Sequence, residues 1–198
     1  MTREIKNRNQ VSRSRSLALA ATFAAFYAAL VIALAPISNL PIQVRVADAL
    51  MPLPILFGWP VILGLGIGTV VGNFAADSIT GFPPSSIGLD IVGGSLVNLL
   101  AGFLAWKIGQ RRWRVLNWNA SWFIATLVET ALVSLVVGGY LSVVFPQLLV
   151  LSILGVLIGE ALAINVGGFL LLNIIGGPKS LTLLRSWGLQ IYGPDLDR

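Results

Sequence analysis

Long stretches without a charged residue constrain this chain more than any other feature of its sequence. The first covers residues 17–36, directly after a polar and basic N-terminal segment. A run of about 20 apolar residues is long enough to cross a bilayer as a helix. Of the 198 residues, 56% are hydrophobic and 11% are charged, whereas soluble domains are about one quarter charged. The composition therefore excludes a soluble globular domain.

The apolar segments predict one all-α integral membrane domain with six transmembrane helices. The second segment is short and contains Pro52 and Pro54, so we expect either a kinked helix buried among the others or a half-helix. Residues 37–48 are too polar to face lipid and are predicted to form a surface or re-entrant loop. The predicted spans are residues 17–36, 49–57, 61–78, 87–106, 119–145 and 148–175.

The basic residues predict the orientation of these helices. With six spans, twelve of the thirteen basic residues fall on one side, in residues 1–16, in the loop 107–118 and after residue 176. Loops on the cytoplasmic side collect Lys and Arg. The sequence thus predicts a cell-membrane protein with a cytoplasmic tail (1–16), a transmembrane domain (17–175) and a second cytoplasmic tail (176–198). The six tryptophans cluster on the same side, so the positive charge indicates topology and not nucleic-acid binding.

The absence of His and Cys limits the chemistry that the chain can perform. A Ser-His-Asp triad, a thiolate nucleophile and an iron–sulfur site are all excluded, and we predict no metal site and no cofactor. Carboxylates are the only acid–base groups expected to act near neutral pH. We predict a ligand-binding membrane protein that is not an enzyme, with a carboxylate-dependent enzyme as the alternative.

Small residues recur at helical spacing in two segments. Gly64, Gly68 and Gly72 lie four residues apart, which predicts close packing against another helix. Two neighbouring alanine stripes in the first helix have two interpretations: packing inside this chain, or docking of a second membrane subunit. The candidate interface residues are Ala20, Ala21, Ala24, Ala25 and Ala28.

Polar residues inside or beside the spans are the candidates for ligand binding. Each ionisable group in a span costs about 2.5–3.5 kcal/mol on insertion scales, so its presence favours a function. Structural roles are the alternatives: an Arg45–Asp48 loop pair, a helix-terminating Asp77, an Asp90 carboxylate that interacts with the dipole at a helix start, and hydrogen bonding between helices by Asn98. The predicted binding residues, around a cavity open to the outer side, are Arg45, Asp48, Asn73, Asp90, Asn98, Glu129 and Glu160.

Five short motifs follow one another along the chain: residues 34–38 (LAPIS), 41–50 (PIQVRVADAL), 64–73 (GLGIGTVVGN), 90–96 (DIVGGSL) and 159–160 (GE). In this order they resemble the QueT family, whose members are proposed substrate-binding S components of energy-coupling factor (ECF) transporters for queuosine precursors. The resemblance covers roughly residues 17–175.

The resemblance implies a six-helix S-component fold and a 7-deazaguanine ligand such as preQ0 or preQ1. It implies that Arg45, Asn73, Asp90 and Glu160 line the pocket, and that the alanines dock on a transmembrane coupling subunit. No Walker motif is present, so separate ATPase subunits would supply the energy. Asp48 replaces the glutamate that is usual in the family, and Glu129 lies where a neutral stretch is expected.

Two other functions stay open at this point. The altered carboxylates also fit an S component for another vitamin-like solute. From a different class, Asp90, Glu129 and Glu160 would suit an intramembrane enzyme that acts on lipid, but the predicted topology places Asp90 at a different depth from the two glutamates. A purely structural membrane protein is the last alternative.

Overall fold

The structure is a computed structural model that describes residues 2–38, 44–115, 118–145 and 149–193 and, within them, all side chains except those of residues 2–12, 38 and 118. In chain order its elements are α1 (Thr2–Ala33), α2 (Ala35–Ser38), a 3-10 turn (Val46–Leu50), α3 (Pro54–Phe57), α4 (Trp59–Thr80), α5 (Pro84–Gly109), β1 (Arg114–Val115), β2 (Trp118–Asn119), α6 (Ala120–Val144), α7 (Leu149–Glu160), a π-helix (Ala161–Gly168), α8 (Phe169–Ile175) and α9 (Pro178–Ser186). The two strands pair antiparallel.

Five long apolar helices dominate the described part of the chain. Their apolar stretches are Arg13–Ala33, Trp59–Thr80, Pro84–Gly109, Ala120–Val144 and Leu149–Ile175, and each is long enough to cross a membrane. The chain is therefore a multi-pass membrane protein by length and composition. The start of the last predicted span, residue 148, lies outside the described residues.

The second predicted span is a short apolar segment, Val46–Phe57, made of the 3-10 turn and α3. Met51, Leu53 and Ile55 are almost completely buried among the longer helices. Pro52 and Pro54 lack the N–H groups that a continuous helix needs, which explains why the segment is broken. Its irregular backbone is shielded from lipid by protein, as the bilayer requires.

The glycines of α4 pack directly on α1, as predicted. A Cβ atom added to Gly64 would lie 2.6 Å from the Ala20 carbonyl oxygen, and one added to Gly68 would lie 2.8 Å from the Ala24 carbonyl oxygen. Gly72 packs in the same way on Ala28 and Val31. The absence of side chains brings the two helix backbones into contact, which is how membrane helices gain packing energy.

The two alanine stripes of α1 therefore have different surroundings. Ala20, Ala24 and Ala28 face α4 inside this chain, which is the internal-packing interpretation. Ala21 and Ala25 are exposed on the outer surface of α1. Docking of a second subunit stays a prediction, and the exposed pair is the part of the stripe available for it.

Both ends of the chain contribute to one end of the helix bundle. Arg15 donates a hydrogen bond to the Gly188 carbonyl (3.2 Å), and the Tyr192 N–H donates one to the Leu56 carbonyl (2.8 Å). We call this the basic end, because Arg15, Lys107, Arg111, Arg112, Arg114, Lys179 and Arg185 all belong to it. The Phe82 and Phe145 rings, with centroids 5.0 Å apart, mark the opposite end.

Three features at the basic end differ from the simple predicted tails and loop. α1 begins at Thr2, so the helix continues through the polar N-terminal segment, which contains neither Pro nor Gly. The predicted basic loop contains the β1–β2 hairpin. The C-terminal tail contains α9, which starts at Pro178, a residue favoured in the first turn of a helix, and buries Leu181.

Candidate functional site

Polar side chains are concentrated inside a bundle whose outer surface is apolar. Five of the eight acidic residues of the chain are buried. Buried polar groups need hydrogen-bond partners, and buried charges need compensation, more so in a membrane protein. The members of this polar network are Tyr27, Arg45, Asp48, Thr69, Asn73, Asp77, Asp90, Asn98, Glu129, Tyr140 and Glu160.

Arg45, just before the 3-10 turn, connects the loop to α4 and α5. Its guanidinium donates a hydrogen bond to Asn73 Oδ1 (3.2 Å). The Asn73 amide in turn donates to the Asp90 carbonyl oxygen (3.2 Å), and the Tyr140 hydroxyl donates to Asp90 Oδ1 (2.6 Å). These bonds join the loop, α4, α5 and α6 in one chain of contacts.

Two adjacent glycines in α5 make room for this part of the network. A Cβ atom on Gly94 would lie 2.8 Å from Asn73 Nδ2, and a Cβ atom on Gly93 would lie 3.0 Å from the Tyr140 ring. Any larger residue would displace the polar side chain that occupies the space. Gly93 and Gly94 thus act as positioning residues for Tyr140 and Asn73.

Tyr27 in the middle of α1 links the second part of the network. Its hydroxyl donates a hydrogen bond to Asp48 Oδ1 and accepts one from Asn98 Nδ2 (2.9 Å). Asn98 also donates to Thr69 Oγ1 (2.8 Å), whose hydroxyl donates to the Leu65 carbonyl. The bonds made by Asn98 connect α5 to α1 and α4, as its predicted role between helices implied.

The two glutamates lie beyond Asp48, toward α6 and α7. The Asp48 and Glu160 carboxyl groups are within hydrogen-bonding reach of each other. Glu129 is 0% exposed and interacts electrostatically with Asp48. The π-helix that follows Glu160 packs on the segment of the 3-10 turn, where Gly168 leaves space for the Ala49 carbonyl and Pro52.

Several buried oxygen atoms have no hydrogen-bond partner among the described residues. They include both carboxylate oxygens of Glu129, one oxygen each of Asp77, Asp90 and Glu160, and the hydroxyls of Thr130 and Ser152. An unpaired buried polar group costs about 1–3 kcal/mol. A ligand that donates several hydrogen bonds would satisfy these acceptors.

Among the described residues, the network contains five carboxyl groups and one cation, Arg45. Removal from water lowers the pKa of the Arg45 guanidinium, but Tyr27, Asp48 and Asp90 outweigh this effect and raise the pKa well above its ordinary value. Arg45 is therefore a permanent cation, able to donate to a carbonyl group of a ligand.

All seven residues predicted to bind substrate belong to this network, although substrate contact itself stays a prediction. Tyr27, Thr69 and Tyr140 were missed. Tyr27 and Tyr140 are two of the three tyrosines in the chain and lie within predicted spans; a buried tyrosine hydroxyl usually finds a hydrogen-bond partner, but the sequence does not show which way either side chain faces. Asp77 was expected to end its helix. Its carbonyl does accept from Phe82, but its side chain reaches Asp90.

Comparison with known proteins gives one match. The family model of the QueT transporter covers residues 17–176. No curated protein and no solved structure gives a significant match to the chain. Residues 41–43 of the loop motif that suggested this resemblance lie outside the described residues, whereas Arg45, Asp48, Asn73, Asp90 and Glu160 from its motifs are all in the network. The chain belongs to the QueT transporter family.

Proposed function

We propose that this protein is a membrane-embedded substrate-capture component, or S component, of an ECF-type uptake transporter. The observation that supports this most directly is the buried polar network with unpaired carboxylate oxygens in a member of a transporter family. A capture protein needs such a site and needs no catalytic group. Membership of a transporter family also argues against an enzyme.

The ligand that we propose is a queuosine precursor, a 7-deazaguanine base resembling preQ0 or preQ1. A base of this kind carries ring and exocyclic N–H donors in one plane, and carboxylate or amide oxygens accept from them. Arg45 would donate to the carbonyl oxygen of the base. Asp90 and Glu160, each with one unpaired oxygen, would accept from opposite edges of the ring.

The orientation follows from the charges at the basic end. Described basic residues other than Arg45 all belong to this end, and the positive-inside rule assigns it to the cytoplasm. Both termini would then be cytoplasmic, with residues 17–175 as the binding domain between two short tails. Arg45, at the start of the short segment, would face the outside of the cell membrane, from which the ligand enters.

We propose the six-segment S-component arrangement for the fold, with Val46–Phe57 as its broken second segment. Transport would require a transmembrane coupling subunit and ATPase subunits, with Ala21 and Ala25 on the docking surface. The larger side chains of Ala21→Leu and Ala25→Leu would keep a partner helix from approaching this surface, so the two changes should abolish co-purification with a coupling subunit. Gly139→Leu, at an open position on α6, should leave co-purification unchanged.

The decisive experiment is calorimetric titration of the purified protein with preQ1, preQ0, guanine and a panel of water-soluble vitamins. Heat is a better signal than tryptophan emission, since Trp59, Trp106, Trp122 and Trp187 lie near the basic end, far from Arg45. Asp90→Asn and Glu160→Gln should weaken binding. Ser134→Ala should not, because Ser134 is equally buried but hydrogen-bonds only within α6.

The same titration tests the second candidate, an S component for another vitamin-like solute. Asp48 and Glu129, which depart from the family pattern, are the residues that favour it. A response to a vitamin and none to deazaguanines would keep the capture role and replace the ligand. Silence toward every compound would contradict the capture role.

A further inference from the structure

A cavity of about 460 Å³ opens at the basic end, far from the polar network. It lies between the polar start of α1, the first turn of α4 and the segment that follows α9. None of its lining residues belongs to the network. Its principal lining residues are Arg15, Phe57, Trp59, Leu63, Gln190 and Tyr192.

The lining changes from polar to apolar along the bundle axis. Arg15 and Gln190 lie at the outer part of the cavity, and Ala20 is five residues further along α1, about 7 Å deeper. Leu63 lies at the same depth as Ala20, because Gly64, the residue next to Leu63, packs on the Ala20 carbonyl. The buried Phe57 ring also lines the cavity. This gradient matches the transition from headgroup to hydrocarbon in a bilayer.

The cavity is open toward the surface that faces lipid. Trp59 is 49% exposed and Leu63 is 48% exposed. Trp side chains favour the membrane–water boundary, which places the opening at headgroup level. The neighbouring α9 carries Lys179 and Arg185 and ends beside the exposed Trp187, a composition typical of a helix that lies in the membrane interface.

We propose that this cavity binds one anionic phospholipid, with its phosphate group on Arg15 and its acyl chain leaving past Leu63 into the bilayer. Arg15 donates one hydrogen bond to the Gly188 carbonyl, and a guanidinium has five N–H donors, so others are able to reach a phosphate. Gln190 adds an amide donor. The volume is within the range of small-molecule sites.

The bound lipid would connect the two ends of the chain. It would contact α1 through Arg15 and the C-terminal segment through Gln190, and the same segment holds the short buried segment through Tyr192 and Leu56. Phosphatidylglycerol should therefore stabilise the folded protein, and phosphatidylcholine, which has no net charge, should do so less. This inference is independent of the transported ligand.

The test is native mass spectrometry of the full chain delipidated in detergent and then titrated with phosphatidylglycerol or phosphatidylcholine. We expect one phosphatidylglycerol to be retained. Arg15→Gln should lower its retention roughly fivefold, the effect of one cation at the lipid surface. Arg13→Gln removes the same charge from α1 outside the cavity and should have little effect. Leu63→Trp, at a half-exposed position, should block retention without disturbing the core.

Other outcomes would overturn the proposal. Equal losses in Arg13→Gln and Arg15→Gln would indicate general attraction to a basic surface and no specific site. Retention of inorganic phosphate that competes with the lipid would indicate an anion site without a lipid chain. Unchanged lipid retention in Leu63→Trp, together with lost assembly with a membrane partner, would identify the cavity as a protein-docking surface.

Discussion

Tyr27 of α1 donates a hydrogen bond to Asp48 of the 3-10 turn, and its Cβ atom lies against Gly68 of α4. One residue thus contributes both to the packing of α1 on α4 and to the polar network. A change in the packing of α1 on α4 would therefore also move the Asp48 carboxyl group.

Tyr27→Phe should weaken both stability and ligand binding. The change leaves Asp48 without its donor and Asn98 without one acceptor, at a cost of about 1–3 kcal/mol in the free energy of unfolding. Equilibrium unfolding in mixed micelles and calorimetric titration measure the two effects. Tyr192→Phe is the matched control, since Tyr192 packs on Trp106 at the basic end, and it should change ligand affinity very little.

Gly68→Ala should destabilise the bundle by about 1–3 kcal/mol, because overpacked atoms force neighbouring groups to move. The new Cβ atom would lie 2.8 Å from the Ala24 carbonyl oxygen and 2.9 Å from Tyr27 Cβ. The same change at Gly139, where nothing lies within 4 Å, should be neutral or slightly stabilising, since Ala favours helix over Gly. Equal effects on thermal unfolding at the two positions would contradict the packing described here.

Gly94→Ala should reduce ligand affinity more than it reduces stability. The added methyl group would push Asn73 Nδ2 away from its position and disturb its hydrogen bonds to Arg45 and Asp90. Affinity measured by titration should fall roughly tenfold, as expected for the loss of one charge-assisted hydrogen bond. Gly88→Ala, at an open position on the same helix, serves as control.

Glu129→Gln should change the affinity for a positively charged ligand more than the affinity for a neutral one. Glu129 is buried with both carboxyl oxygens unpaired, so a ligand with a protonated amine would gain a charged partner there and a neutral ligand would not. We expect the wild-type protein to bind preQ1, which carries an amine, more tightly than preQ0, which carries a nitrile. The Gln variant should lose most of this preference while keeping its affinity for preQ0. An unchanged ratio of the two dissociation constants would show that Glu129 does not face the ligand.

The sequence predicted the long helices well because charge-free runs and glycine spacing report directly on membrane burial and helix packing. The close packing of residues 64, 68 and 72 against another helix could be predicted from their spacing alone, since a stripe of small residues in a membrane helix is typical of a helix–helix contact. The ionisable residues of the polar network could be identified for the same reason, as each is costly in lipid, whereas their contact with substrate stays a prediction.

Other features depend on tertiary contacts that no local pattern encodes. The π-helix starts directly after Glu160 in a segment that reads as an ordinary apolar helix, and it accommodates Ala49 and Pro52 from more than a hundred residues earlier. Tyr27 is indistinguishable by hydropathy from a lipid-facing aromatic residue. The inward-facing and outward-facing alanine stripes of α1 also look alike until a partner helix occupies one of them.

The π-helix also sets the rotational phase of the last span. Each residue of an α-helix turns the chain by about 100°, so a wider turn changes which side chains face inward beyond Gly168. Winding all of Ala161–Gly168 as an α-helix would rotate Leu172 away from the core that now buries it, whereas removing one residue would restore α-helical winding and leave Leu172 close to its present orientation. The π-helix therefore joins α7 and α8 with a rotational offset. As a result, the side chain of Glu160 at the end of α7 and the side chains near Ile175 in α8 are oriented independently of each other.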